Sequence, residues 1–120
     1  MSKKHILIVY GDPSLQQSIA KYLEISGYTV ACVNDIIGFD DYMLQHKVDM
    51  LIIDQMMPGD EGLTIIKQTR ASGHNIPILM ISSFAENADR LIDAKNGVND
   101  YLANPPNLIQ LRDRVRALLK

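Results

Sequence analysis

Asp54 is the residue on which chemistry could turn. It follows the apolar run Met50-Leu51-Ile52-Ile53 and precedes Gln-Met-Met-Pro-Gly-Asp-Glu-Gly, so it stands where a strand gives way to a Pro58/Gly59 turn. A carboxylate so placed is exposed yet fixed to rigid scaffold, and it could attack phosphorus or ligate a metal. The same residue could also do no more than cap the loop that follows it. Asp12 comes after Tyr10-Gly11 and directly before Pro13, an N-cap with proline at the first helical position. Asp60 and Glu61 fall where the dipole of a following helix favours negative charge. Ser82 and Ser83 end another apolar run, where a hydroxyl could donate to an anion or serve an ordinary turn. The three histidines, His5, His46 and His74, are scattered and lack ligand spacing. Ser, His and Asp occur in no nucleophile-elbow context. Tyr-Gly-Asp-Pro at 10–13 matches neither a dinucleotide fingerprint nor a P-loop.

The elements that must hold these groups alternate along the chain. Continuous apolar runs of strand length lie at 5–10, 28–33, 48–53, 77–82 and 99–103. Runs apolar throughout predict strands covered on both faces, as in parallel sheets. Helical spacing separates them. Leu15, Ile19, Tyr22 and Leu23 share a face before Gly27, and Leu63 and Ile66 lie in a helix over about 60–72 ended by Gly73. Leu108, Leu111, Val115 and Leu118 form the last stripe, with Arg112, Arg116 and Lys120 away from it. Less regular helices are expected over about 36–46 and 86–95. Five such units call for right-handed crossovers and a doubly wound, flavodoxin-like α/β domain with five helices. Its five-stranded parallel sheet has the order 2-1-3-4-5, with a site at the carboxyl ends of strands 1 and 3. That rule selects Tyr10-Gly11-Asp12 and Asp54-Gln55-Met56. A flavin phosphate would need a hydroxyl-rich turn after strand 1, and none is there.

Bulk properties narrow the classes further. The 120 residues, 1–120, fit one domain. A net charge of −2 gives no electrostatic footprint for nucleic acid or an anionic membrane. The first apolar run is too short for a membrane span. Cys32 is the only cysteine, so no internal disulfide can form, and a cytoplasmic setting is expected. Met43, Met50, Met56, Met57 and Met80 read as core filler.

The stretch DQMMPGDEGL at 54–63 resembles the phosphorylation loop of response-regulator receiver domains in two-component signalling, with Asp54, Pro58 and Gly62 on the family's positions and Glu61 where the family usually has Asp. PILMISS at 77–83 is similar to the family's fourth strand, with Ser82 and Ser83 at its end, and GVNDYLANPP at 97–106 to its fifth strand and loop, with Tyr101 at the switch aromatic. The resemblance spans essentially the whole chain. It implies Asp54 at the phosphoacceptor position, Ser82 and Tyr101 as switch residues, and a sensor histidine kinase or phosphotransfer protein as partner. DYLANPPNLIQLRDRVRALLK resembles the end of receivers in winged-helix DNA-binding regulators, which pair symmetrically through helix 4, strand 5 and helix 5. It implies a homodimer face at Arg90, Asp100 and Arg114, with Gln110 where a Glu would accept a salt bridge, and no direct nucleic acid contact by this domain.

Three family positions are substituted. The acidic pair that holds Mg²⁺ is here Tyr10 and Gly11, and the phosphoryl-contacting lysine is Asn104. Phosphoryl transfer is mostly positioning and charge neutralisation, and Asp54 with the Met56 carbonyl leaves a Mg²⁺ site short of its main charge. The expectation is an atypical receiver, not an enzyme, with no tightly bound cofactor, phosphorylation weak or absent, and output through protein contacts. One alternative is an ordinary phospho-accepting receiver in which Asp12 joins Asp54 and Met56 to recruit Mg²⁺. A small phosphotransfer or hydrolytic enzyme using Asp54 is a poorer one, since no general base or second carboxylate stands nearby.

Overall fold

Each continuous apolar run becomes a strand. The structure, a computed structural model, describes residues 3–54, 61–82, 97–103 and 105–120. The strands are β1 (His5–Val9), β2 (Thr29–Val33), β3 (Met50–Asp54), β4 (Ile78–Ser82) and β5 (Asp100–Ala103). All pair in parallel, in the order β2-β1-β3-β4-β5, which is the expected doubly wound order. The helices among the described residues are α1 (Pro13–Ile25), α2 (Ile36–Gln45), α3 (Glu61–Ala71) and a C-terminal helix (Leu108–Leu118). The helix expected at 86–95 lies outside the described residues.

Local chemistry sets the helix ends. Asp12 caps α1, accepting from the amides of Ser14 at 2.9 Å and Leu15 at 3.3 Å, with Pro13 following it. Asp35 caps α2 through the Gly38 amide at 2.8 Å, and Asn107 caps the C-terminal helix through the amides of Ile109 and Gln110. Such caps satisfy amides that a helix start leaves without partners, each worth about 1 kcal/mol.

Alternation along the strands divides the core into two layers. Ile6, Ile8 and Tyr10 pack with Met50 and Ile52 under α1 (Ile19, Leu23) and the C-terminal helix (Leu111, Val115). Leu7, Val9, Leu51 and Ile53 pack on the other side under α2 (Phe39) and α3 (Ile65, Ile66). Burying one such aliphatic side chain fully is worth about 1.5–3 kcal/mol.

Two expectations need correction. β2 is not covered on both faces: Thr29 and Cys32 are exposed, because the strand order makes it an edge, closed on one side only. The third strand starts two residues later than its apolar run and takes in Asp54, which pairs in register with Ile81; the backbone ladder extends one residue past the last apolar side chain.

At the edge of the sheet where strands begin, Arg70 ties three segments together. Its guanidinium donates to the carbonyls of Gly97 (2.7 and 3.1 Å), His74 (2.9 Å) and Ile76 (2.8 Å), and to Asn99 Oδ1 at 2.9 Å. Asn99 Oδ1 also accepts the Ile78 amide at 2.8 Å. The end of α3, the entry to β4 and the entry to β5 are thus fixed by neutral acceptors around one cation. Gly97 has φ +77°, and a Cβ there would stand 2.8 Å from Arg70 Cγ. Gly27 has φ +108° with nothing within 4 Å of such a Cβ. Gly97→Ala should therefore destabilise by about 2–4 kcal/mol, conformational strain plus a disturbed Arg70, whereas Gly27→Ala should cost about 1–2 kcal/mol from strain alone. Urea unfolding of both variants checks this, and equal losses would show that the Arg70 contact contributes nothing.

Candidate functional site

The register of β1 on β3 pairs Val9 with Ile53, so the residues that follow, Tyr10 and Asp54, come level at the carboxyl edge. Asp54 was expected to be exposed. It is 4% exposed, because it still belongs to the ladder of β3 and is covered by its neighbours. The amide of Gly11 donates to Asp54 Oδ2 over 3.4 Å, a long and weak hydrogen bond. A Cβ placed at Gly11 would lie 3.8 Å from the same oxygen, an ordinary contact distance. Position 11 therefore faces Asp54 and presents backbone only. Tyr10 points into the core layer under α1 and is fully buried. Asp12 is exposed, and its Oδ1 is engaged in capping α1.

A polar network beside this loop escaped the sequence reading. Gln16 is 5% exposed and lies on the buried face of α1 with Ile19 and Leu23. Its Nε2 donates to the Val33 carbonyl at 3.0 Å, and its Oε1 accepts from Asn34 Nδ2 at 3.1 Å. Asn34 Nδ2 also donates to the Tyr10 carbonyl at 3.2 Å, and the Tyr10 amide donates to the Val33 carbonyl at 3.2 Å. The signal in the sequence was Gln16 itself, a carboxamide at a position where the helical stripe wants an apolar side chain.

The remaining expected site residues divide. Ser82 ends β4, level with Ala103 of β5, though its side chain is outside the described part. Met56, Pro58, Asp60, Ser83, Arg90 and Asn104 lie outside the described residues. Tyr101, expected as a switch residue, is buried in the layer under α2 and α3. Arg114 and Asp100 were expected to meet across a dimer interface. They meet within one chain, Arg114 Nη1 lying 2.7 Å from each Asp100 oxygen; one helix turn beside a strand end brings them within reach. Gln110 is exposed nearby on the same helix. His5 and His46 are not scattered. His5 contacts the Tyr42 hydroxyl and Thr29 Oγ1, and Tyr42 stacks on His46 with ring centroids 4.1 Å apart. This cluster is at the beginning of β1, at the opposite edge of the sheet from Asp54.

The family model "Response regulator receiver domain" matches residues 6–116. The Response regulator MprA proteins of Mycobacterium avium (strain 104) and Mycobacterium leprae (strain TN) are each 33% identical over 115 residues, covering 96% of this chain and 50% of theirs. The chain thus spans about half the length of these curated relatives. Among solved structures, the receiver domain of the TMAO respiratory system response regulator TorR superposes with a TM-score of 0.86 at 28% identity, covering 97% of this chain and 96% of that one. A two-component response regulator from Clostridium difficile gives 0.87 at 26% identity, with coverages of 98% and 96%.

Burial pushes the Tyr101 phenol up to about 12 from its ordinary value of 10.0. The folded state then holds this proton more tightly than the unfolded chain. Below pH 10 the buried ring carries no penalty; as pH rises from about 10 to about 12 the unfolded chain loses the proton first, and stability falls. Tyr101→Phe should flatten that alkaline loss. Urea midpoints measured from pH 8 to 11.5 test it, and parallel curves for the two proteins would place the titration elsewhere.

Proposed function

The chain belongs to the response regulator receiver domain family, and from that membership we propose that it is an atypical signalling receiver, with Asp54 in the phosphoacceptor position and phosphorylation weak or absent. Gly11 carries the reading. It is the position that faces the Asp54 carboxylate, at 3.8 Å from a built Cβ, and it brings no charge. In the family an acidic side chain there helps hold Mg²⁺, and that ion offsets the charge of the incoming phosphoryl oxygens.

The surroundings support the same reading. Tyr10 fills core volume, where a carboxylate would have pointed at the site's edge. Among the described residues no three His, Cys, Asp or Glu side chains gather to hold a metal, a poor match for Mg²⁺, which takes near-octahedral oxygen ligands with one or two carboxylates among them. Asp12 holds its carboxylate in place through Oδ1, which accepts from the Ser14 and Leu15 amides, so a metal could be met only by Oδ2, or by giving up about 1 kcal/mol of helix capping. Asn104 in place of the family's lysine removes a second cation. We take the protein to be a signalling module and not an enzyme, acting in the cytoplasm through protein contacts, with a sensor histidine kinase or phosphotransfer protein as the upstream partner. No helix among the described residues is long and apolar enough to cross a membrane. A homodimer through β5 and the C-terminal helix would exchange the Arg114–Asp100 pair within a chain for the same pair between chains. Exposed pairs of this kind are worth at most about 1 kcal/mol, so such a dimer would be weak.

Incubation with acetyl phosphate and Mg²⁺, followed by intact mass, tests the proposal. The wild type should stay unmodified. Tyr10→Asp, Gly11→Asp and Asn104→Lys together should restore Mg²⁺-dependent phosphorylation, and each alone should do little, because groups acting as one electrostatic unit are non-additive. Tyr10→Asp empties a fully buried ring position and should cost about 3–5 kcal/mol. The Gly11→Asp, Asn104→Lys double variant therefore serves as the form that leaves the core intact. A wild type that phosphorylates as readily as the triple variant would sink the reading.

A further inference from the structure

The loop that carries Gly11 is held by an arrangement that involves no charge. The Tyr10 carbonyl and the Gly11 amide belong to one planar trans peptide unit, so their directions are locked to each other. Asn34 Nδ2 donates to that carbonyl at 3.2 Å, and the amide at the opposite edge of the plane donates to Asp54 Oδ2 at 3.4 Å. A rotation of the plane would break both bonds at once. Asn34 is itself aimed by Gln16, whose buried carboxamide accepts from Asn34 Nδ2 at 3.1 Å and donates to the Val33 carbonyl at 3.0 Å. The Tyr10 amide, on the preceding peptide plane, is fixed to the same Val33 carbonyl at 3.2 Å.

A buried carboxamide on an apolar helix face is costly unless its polar atoms find partners, and here they find partners only in a geometry that fastens this loop. We propose that Asn34, oriented by Gln16, is a positioning residue for Asp54, acting through the 10–11 peptide unit. The path joins the Asp54 carboxylate to the end of β2 and, through Asp35, which follows Asn34 and caps α2, to the start of that helix. Changes at Asp54 are thereby felt at the β2–α2 corner. The inference rests on Asp54 being the functional carboxylate, as proposed above. It requires neither a metal nor a phosphoryl group.

Nuclear magnetic resonance of the whole chain, without phosphate donor or Mg²⁺, tests it and keeps it separable from the phosphorylation reading. Asp54→Ala should move the Gly11 amide and the Asn34 side-chain amide resonances. Asn34→Ala, at an exposed position that the fold tolerates, should speed hydrogen exchange at Gly11 by about tenfold, the loss expected for one ordinary hydrogen bond. Gln16→Leu keeps the buried volume and removes the aim; in it, the response of the Asn34 side chain to Asp54→Ala should disappear. Asp35→Ala, which frees the start of α2 without touching the 10–11 peptide, should leave the Gly11 amide where it was. Asn34 resonances indifferent to Asp54→Ala, or Gly11 exchange indifferent to Asn34→Ala, would overturn the proposal even if Asp54 accepts phosphate. A wild type that is phosphorylated while the coupling holds would overturn only the earlier reading.

Discussion

The pairing of β1 with β3 governs what this molecule can do. Both strands are covered on both faces, and Ile6, Leu7, Ile8 and Val9 lie fully buried beside Met50, Leu51, Ile52 and Ile53. A slip of one residue would exchange the two core layers and turn every one of these side chains to the wrong side. The register is therefore fixed by eight buried aliphatic residues and by nothing at the site. Once it is fixed, Tyr10 must come level with Asp54, and the next residue must meet the carboxylate. Whatever side chain occupies position 11 is delivered to Asp54 by the core.

That division of labour makes the site replaceable without loss of the fold. Carboxylates crowded at one strand edge repel one another when no cation sits between them, and each must be held there against a preference for water. Glycine at position 11 removes one such charge and tyrosine at position 10 converts another into buried apolar area. On the reading proposed here, chemistry is exchanged for stability at the same two positions, in the direction expected when a strained polar site no longer has to be maintained. Asp54 remains, screened from water and in contact with the Gly11 amide, where its cost is small because it has polar neighbours.

Local signals were legible in the sequence, and non-local ones less so. Asp12-Pro13 could be read as a helix start because capping is settled within three residues. The strand positions could be read because fully apolar runs of that length have few other uses. The exposure of β2 followed from its place at the edge, which depends on the strand order and not on its own composition. The burial of Asp54 depends on a ladder with Ile81, twenty-seven positions on. The contact of Arg114 with Asp100 inside the chain joins a helix to a strand end fourteen positions away, which no local pattern announces. Tyr42 and His46 sit one turn apart at the end of α2, a spacing that could have been read, but His5 joins them from β1 and only the fold brings it there. Gln16 was readable in principle, since a carboxamide on an apolar stripe asks for a partner, but the partner's identity needed the fold.

Both edges of the sheet are finally secured by the same device. At the edge where strands begin, Arg70 gathers carbonyls from α3's end, β4's entry and β5's entry. At the edge where they end, Gln16 and Asn34 gather the carbonyls of Val33 and Tyr10. Backbone carbonyls occur whatever the side chains are, so fastenings made to them survive changes at neighbouring positions. Carboxylate and ammonium groups around a metal would hold the loop only while the ion is bound. Neutral carboxamides hold it always. A receiver whose loop is fastened in this way has no need of the ion for its shape, and the disappearance of the acidic pair can leave the edge of the sheet as ordered as before. On the reading proposed here, the missing charges take away the stabilisation of a transferring phosphoryl group and leave the fastening of the loop in place.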